Sequence, residues 1–272
     1  MGLTYYCDVH RTNKNGEGFR ITFTTVGVEF RHADGFEEIP AKAGDRVFLD
    51  TLPLQHTDSA IGLLKRGVEV YYLRRPTMVA RKREELKLSK TARNDIKALM
   101  TIEERWFRRV SEDFLMMRRM VLAYRALLKT HTQLLNKSKA LSEQERNVLR
   151  PAIKTIERQM EEVAAKIAKE AGRRFPAYNR FVEELGIRGN NSAMEALAEV
   201  LVFPEWRSWR RVRNYFGLWR KDKKTYYHRS KTARQALERL TICIRGYNIK
   251  AGDLEDILKR IWLAQRVGGP PA

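Results

Sequence analysis

The sequence predicts three successive regions: an α/β domain over residues 1–98, a long antiparallel helical hairpin or coiled coil over 99–171, and a small all-α domain over 172–272. Three observations carry this. Runs rich in β-branched and aromatic residues alternate with a helical segment in the first third. Apolar residues then recur at three- and four-residue steps through the middle. The last third is broken into short helical segments, beginning with Gly172 and Pro176.

In the first region the strand candidates are Thr4–Val9, Phe19–Thr25, Val28–Phe30, Arg46–Leu52 and Val68–Leu73. Asn15-Gly16-Glu17-Gly18 marks a turn between the first two. Val26-Gly27-Val28 turns the second strand into the third, making a meander. Thr57–Arg66 predicts a short helix closed by Gly67. That helix links two strands as a crossover in a mixed sheet would.

In the middle region Leu99, Ile102, Trp106, Val110, Phe114, Met117, Val121, Tyr124, Leu128, His131 and Leu135 form one stripe. At about 1.5 Å per residue it predicts a continuous helix roughly 60 Å long. Asn136–Ala140 reads as the turn, and Ser142 with Glu145 as a capping box for the return helix. Ile153, Ile156, Met160, Val163 and Ile167 continue the spacing, with Pro151 kinking or restarting the helix. The outgoing stripe exceeds what the return helix covers, which points to a homo-oligomer formed through the hairpin. Packing against the protein's own domains is the alternative. The last region predicts helices at Tyr178–Leu185, Ser192–Val202, Trp206–Phe216, Lys231–Ile244 and Asp253–Arg266, then a frayed tail.

The net charge is +20, with 53 Lys and Arg against 33 Asp and Glu. A surplus that large repels itself unless an anion is bound, so RNA, DNA or both are the expected partners, ahead of an anionic membrane surface. No apolar run is long enough for a transmembrane helix and no signal pattern opens the chain, so no membrane association and a cytoplasmic location are expected. Cys7 and Cys243 sit in apolar runs, predicting two buried free thiols. The five histidines form no ligand cluster in the sequence.

Three aspartates are the candidate catalytic and metal-binding residues. Asp8 lies in the first strand, Asp50 ends Val47-Phe48-Leu49-Asp50, and Asp95 sits on the helical stretch Lys90–Ile96. Acids delivered from a first strand, a later strand and a following helix can gather divalent cations, Mg²⁺ here, against a phosphodiester. The plain reading of each is ordinary: a turn start, a turn cap before Pro53 and a solvated helix residue. Asp45 and Asp58 read as loop or cap residues.

A basic stretch from Glu205 to Arg234 forms the candidate nucleic-acid surface. It holds Arg207, Arg210, Arg211, Arg213, Arg220, Lys221, Lys223, Lys224, Arg229, Lys231 and Arg234, eleven positive charges against two acids. Trp206, Trp209, Tyr215, Phe216, Trp219, Tyr226 and Tyr227 are interleaved. Guanidinium groups clasp phosphates bidentately and flat rings stack on bases. About half of these aromatics are expected in the core instead, which leaves a basic face outside. Gly186 and Gly189 precede a helix whose N-terminal amides suit a phosphate, although Asn191 or Ser192 as an ordinary cap explains them equally. Arg81, Lys82, Arg83, Lys87, Lys90 and Arg93 form a solvated basic face placed near the aspartates.

These residues resemble the insertion sequence 110 transposases, the RNA-guided bridge recombinases. Tyr6-Cys7-Asp8-Val9-His10-Arg11 resembles their I-D-V-H-K opening. Gly62-x-x-x-x-Gly67-Val68-Glu69-Val70 followed by Arg75-Pro76 resembles their L-x-x-x-G-x-x-V…N-P segment. Lys90–Leu99 is similar to K-T-D-x-x-D-A-x-x-L. Gly186–Gly189, Phe203 and Tyr215–Leu218 are similar to P-G-I-G…F…Y-x-G-L, and Arg229–Leu237 loosely to S-K-x-G-x-x-x-L-R-x-x-L. The resemblance spans nearly the whole chain, in order. It implies a RuvC-like, ribonuclease H-fold first domain, a coiled coil and a C-terminal transposase domain. It also implies a Mg²⁺ site, a nucleophilic serine, DNA recombination or transposition, and a guide RNA as partner, in a nucleoid- or ribonucleoprotein-associated protein.

The departures are specific. Asp50 stands where the family has Glu, and Ala92 where it has a third acid. The family's Ser-Gly after the G-L element is absent, and Ser230 is the nearest serine. The expectations are therefore a transposase or recombinase, a catalytically inactive descendant that binds structured RNA in a ribonucleoprotein or on the ribosome, and a metal-dependent nuclease or junction resolvase.

Overall fold

The structure is a computed structural model in which residues 2–10, 20–204, 206, 208–218 and 230–267 are described. The chain folds as two compact units, residues 1–116 and 117–272.

The first unit is built on a six-stranded mixed sheet. Its strands are β1 (Thr4–Val9), β2 (Ile21–Thr24), β3 (Arg31–Ala33), β4 (Arg46–Leu49), β5 (Glu69–Leu73) and β6 (Phe107–Arg109). Their order is β3-β2-β1-β4-β5-β6. β1 runs parallel to β4, and β4 to β5, while β2, β3 and β6 join antiparallel. Helix α1 (Thr57–Lys65) is the expected crossover from β4 to β5, and Gly67 just beyond it adopts φ +79°. Only a residue without Cβ takes that conformation at little cost. Helices α2 (Thr77–Glu85) and α3 (Ala92–Met100) follow β5. Thr91 starts α3 by accepting the Asn94 N–H at 3.2 Å.

Side-chain alternation divides the sheet. Cys7, Val47, Leu49 and Val70 are fully buried on one face. On the other, Phe48 and Leu73 pack with Val79 of α2, Ala98 and Leu99 of α3, Ile102 and Phe107. Phe48 stacks between Tyr6 and Tyr71, with centroids 5.4 Å and 4.8 Å away, and meets Phe107 edge-on at 4.9 Å. Such pairs add about 0.5–1.5 kcal/mol each beyond area burial.

Three expectations fail in this unit. The third strand is Arg31–Ala33, not Val28–Phe30. Val26 and Val28 are exposed, and Gly27 turns the chain at φ +75° with its N–H on Thr24 Oγ1. The helix expected to run unbroken from Asp95 stops at Met100, where Thr101 Oγ1 donates to Ala98 O. A 3-10 turn at Glu104–Trp106 and strand β6 follow. Ile102, Trp106 and Val110 match the helical spacing but serve a loop and a sheet edge. The boundary expected after residue 98 consequently falls inside α3. The Asn15–Gly18 turn and Phe19 lie outside the described residues.

The second unit is helical: the remainder of α4 (Glu112–Lys139), then α5 (Glu143–Arg174), α6 (Pro176–Glu184), α7 (Asn191–Val202), α8 (Trp209–Tyr215), α9 (Lys231–Arg245) and α10 (Ala251–Val267). α4 and α5 form the antiparallel hairpin. Ser142 and Glu145 make the capping box, with Glu145 Oε2 accepting the Ser142 N–H at 2.9 Å, and His131 meets Glu157 at 3.1 Å. Pro151 and Gly172 both lie within α5 without ending it. The N–H that Pro151 lacks would have bonded the carbonyl of residue 147, which stands in an exposed stretch open to solvent. Pro176 opens α6 instead of only breaking what precedes it. Cys7 is buried as expected, but Cys243 is exposed. Among the described residues no helix is long and apolar enough to cross a membrane.

Candidate functional site

The three aspartates converge in the first unit. Asp8 faces Thr22 across the β1–β2 ladder, and the Cys7–Leu49 pairing of β1 with β4 sets Asp50 beside Asp8. Asp50 leaves β4 with its N–H on Cys7 O at 3.2 Å. Its Oδ1 accepts the Val9 N–H at 3.0 Å, which fixes the carboxyl against β1. The carboxyls of Asp8 and Asp50 lie close enough to shift each other's proton affinity. Asp95, in the first turn of α3, lies close enough to raise the proton affinity of both. Its own carboxylate pairs with the Arg83 guanidinium of α2, both side chains largely shielded from solvent.

The electrostatics follow from this packing. Burial is the main cause that lifts Asp50 to about 8, and the Asp8 charge adds to it. Burial likewise lifts Asp8 to about 6, opposed by His10 and Arg83. Two carboxyls this close and this dry resist joint ionisation, so they share a proton near neutrality unless a cation is supplied.

Two histidines, unread as part of a site in the sequence, lie beside this cluster. His10 Nε2 meets Asp8 Oδ2 at 2.9 Å and lies 3.5 Å from Thr22 Oγ1, which contacts His32 Nδ1 at 3.1 Å. The two-residue step from Asp8 to His10 on a strand was the available signal; His32 enters only through the β2–β3 register. Asp45 is the loop cap expected, accepting the Leu3 and Lys42 N–H groups.

Among the described residues no three His, Cys, Asp or Glu side chains form a ready metal-holding group. The pair Asp8–Asp50 nevertheless fits a hard cation, because Mg²⁺ commonly takes one or two carboxylates and completes its shell with water and phosphate oxygens. Of the nearby basic series, Arg81 and Lys82 pair with Glu85, while Lys87, Lys90 and Arg93 are exposed and Arg93 lies over the Phe30 ring.

The C-terminal basic stretch is described in part. Arg207, Trp219, Arg220, Lys221, Lys223, Lys224, Tyr226, Tyr227 and Arg229 lie outside the described residues. Arg210, Arg211 and Lys231 are exposed. Arg213 pairs with Glu255 at 3.1 Å, and Arg234 with Glu238 at 2.7 Å. Trp206 and Trp209 pack on Trp262, and the Trp206 N–H donates to Leu201 O, so these rings serve the helical core. Ser230 caps α9, its Oγ accepting the Ala233 N–H at 3.2 Å. Asn190, not Asn191 or Ser192, caps α7.

A second buried charge cluster went unread in the sequence. Glu195 and Glu199, one turn apart on α7, are fully buried against Arg125 of α4 and Arg239 of α9. Glu199 Oε1 accepts from Arg125 Nε at 2.9 Å, and Arg239 reaches both acids. Burial first, and Glu199 next among what raises it, hold Glu195 at about 8. Acids four apart on an otherwise apolar helix were the signal.

No protein-family model matches the chain, and no curated protein matches it.

Proposed function

We propose that this protein binds nucleic acid through its basic surfaces and that Asp8 and Asp50 form a Mg²⁺-dependent strand-cleavage or strand-transfer site, as the resemblance to RNA-guided transposases implies. The observation that carries the reading is the meeting of a β1 acid, an acid just beyond β4 and an α3 acid on one mixed sheet. A central first strand with these three attachment points supports a ribonuclease H-like, RuvC-like first unit. The net charge of +20 supports a polyanionic partner.

When bound, Mg²⁺ supplies charge to a phosphodiester and lowers the pKa of water there. The chain's own residues do the rest. Val9 N–H holds Asp50 in place, and His10 holds one oxygen of Asp8, so both carboxyls present fixed lone pairs. Lys90 and Arg93, exposed and within five residues of Asp95 along the chain, would receive flanking phosphates. Sequencing the nucleic acid that co-purifies with the protein tests the partner. A discrete non-coding RNA encoded beside the gene supports guided recombination.

The engagement of Asp95 by Arg83 and of Ser230 in a helix cap favours a second reading, an inactive descendant that binds structured RNA. Ribosomal or other abundant RNA in the same preparation would support it. Metal-dependent cleavage by the purified chain would sink it.

A further inference from the structure

We infer that Arg83 is the site's own second cation, so that the carboxylate cluster takes a single divalent ion, held by Asp8 and Asp50. This rests on the metal reading above and gives the site a defined stoichiometry. Arrangements with two metal ions need a further carboxylate to hold the second one. Among the described residues the acid in position, Asp95, already carries a largely shielded guanidinium. That pair is shielded from water, with 14% and 16% of the two side chains exposed, so the charge of Arg83 is little screened by solvent. It reaches Asp8, whose proton affinity it lowers.

Arg83 has capacity left over. A guanidinium offers five N–H groups, and among the described residues Arg83 spends one nitrogen on Asp95. The remaining N–H groups belong to a planar fork suited to two oxygens of a phosphodiester. The ligand class is therefore a phosphodiester bridged between one hard cation at Asp8–Asp50 and the fork of Arg83. A fixed guanidinium in place of a second ion stabilises developing phosphate charge without having to be recruited.

The test uses the full chain and Mn²⁺ alone, counted by calorimetric titration and by the paramagnetic resonance of bound Mn²⁺. The wild type binds one Mn²⁺, and Asp8→Asn loses it. Arg83→Gln frees Asp95 and binds a second, whereas Arg83→Lys keeps the charge and binds one. Should Arg83→Gln fail to fold, Asp95→Asn carries the test: the folded variant still binds one ion, because Asp95 is not its ligand, though more weakly, because a neighbouring negative charge is gone. Two ions in the wild type, one in a folded Arg83→Gln, or no ion in a folded Asp95→Asn overturns the inference. No Mn²⁺ in the wild type overturns the metal reading beneath it.

Discussion

Replacing Asp50 by Asn should stabilise the metal-free first unit at alkaline pH and flatten its pH dependence. Asn keeps the Oδ1 that accepts the Val9 N–H, so the change removes a charge and little else. The sign follows from the direction of the shift. Asp50 is lifted from 3.8 to about 8, so below about pH 4 folded and unfolded chains both hold the proton and nothing is lost. Between about pH 4 and 8 the unfolded chain releases it while the folded chain keeps it, so stability falls as pH rises. At about 1.4 kcal/mol per tenfold in proton affinity, the span from 3.8 to about 8 sets a ceiling of about 5–6 kcal/mol. Asp8 shares the repulsion and Asp50 keeps some exposure, so about 2–3 kcal/mol is expected at pH 8.5. Hydrogen exchange of the β1 and β4 amides, in chelator at pH 5.5 and 8.5, reads this locally. Slower exchange in Asp50→Asn at pH 8.5, with a gain less than half as large at pH 5.5, is the expected result. An unchanged pH dependence, or faster exchange at both values, refutes the account of the paired carboxyls.

The remaining predictions concern both units. Glu199→Ala leaves Arg125 and Arg239 facing a buried gap and should cost about 3–5 kcal/mol, measured by urea unfolding of the helical transition. Ser230→Ala should cost about 1 kcal/mol as a lost helix cap and leave strand cleavage intact; abolished cleavage in a stably folded variant would make Ser230 a nucleophile. Affinity for RNA or DNA, measured by fluorescence anisotropy, should fall about 10³–10⁵-fold between about 50 and 200 mM salt if about 6–10 phosphates are contacted, and insensitivity to salt would refute the basic-surface argument.

What the sequence disclosed followed physical range. β1, β4, β5 and α1 are short elements written in local composition, and Ser142 with Glu145 is a capping signal complete within four residues. The convergence of Asp8, Asp50 and Asp95 was legible because strand order and the strand-end position of Asp50 leave few alternatives. Interactions set by register were not. His32 reaches the site only because β3 pairs as Arg31–Ala33, three residues later than β-branched composition suggested. The apolar steps from Leu99 to Val110 imitate a helix because a loop and an edge strand also bury roughly every third or fourth residue. Arg83 belonged to a basic series that looked solvated, and only the packing of α2 on α3 shows which of its members turns inward. The Glu195–Glu199 network needed three helices to assemble before two acids on an apolar face made sense.

The most direct measurement is strand cleavage or transfer by the purified chain on branched and duplex DNA, with and without its co-purified nucleic acid, across Mg²⁺ concentration. The account predicts Mg²⁺-dependent product with the wild type and loss of at least about 10²-fold in folded Asp8→Asn and Asp50→Asn. Equal product from those variants, or product in the presence of chelator, would contradict it.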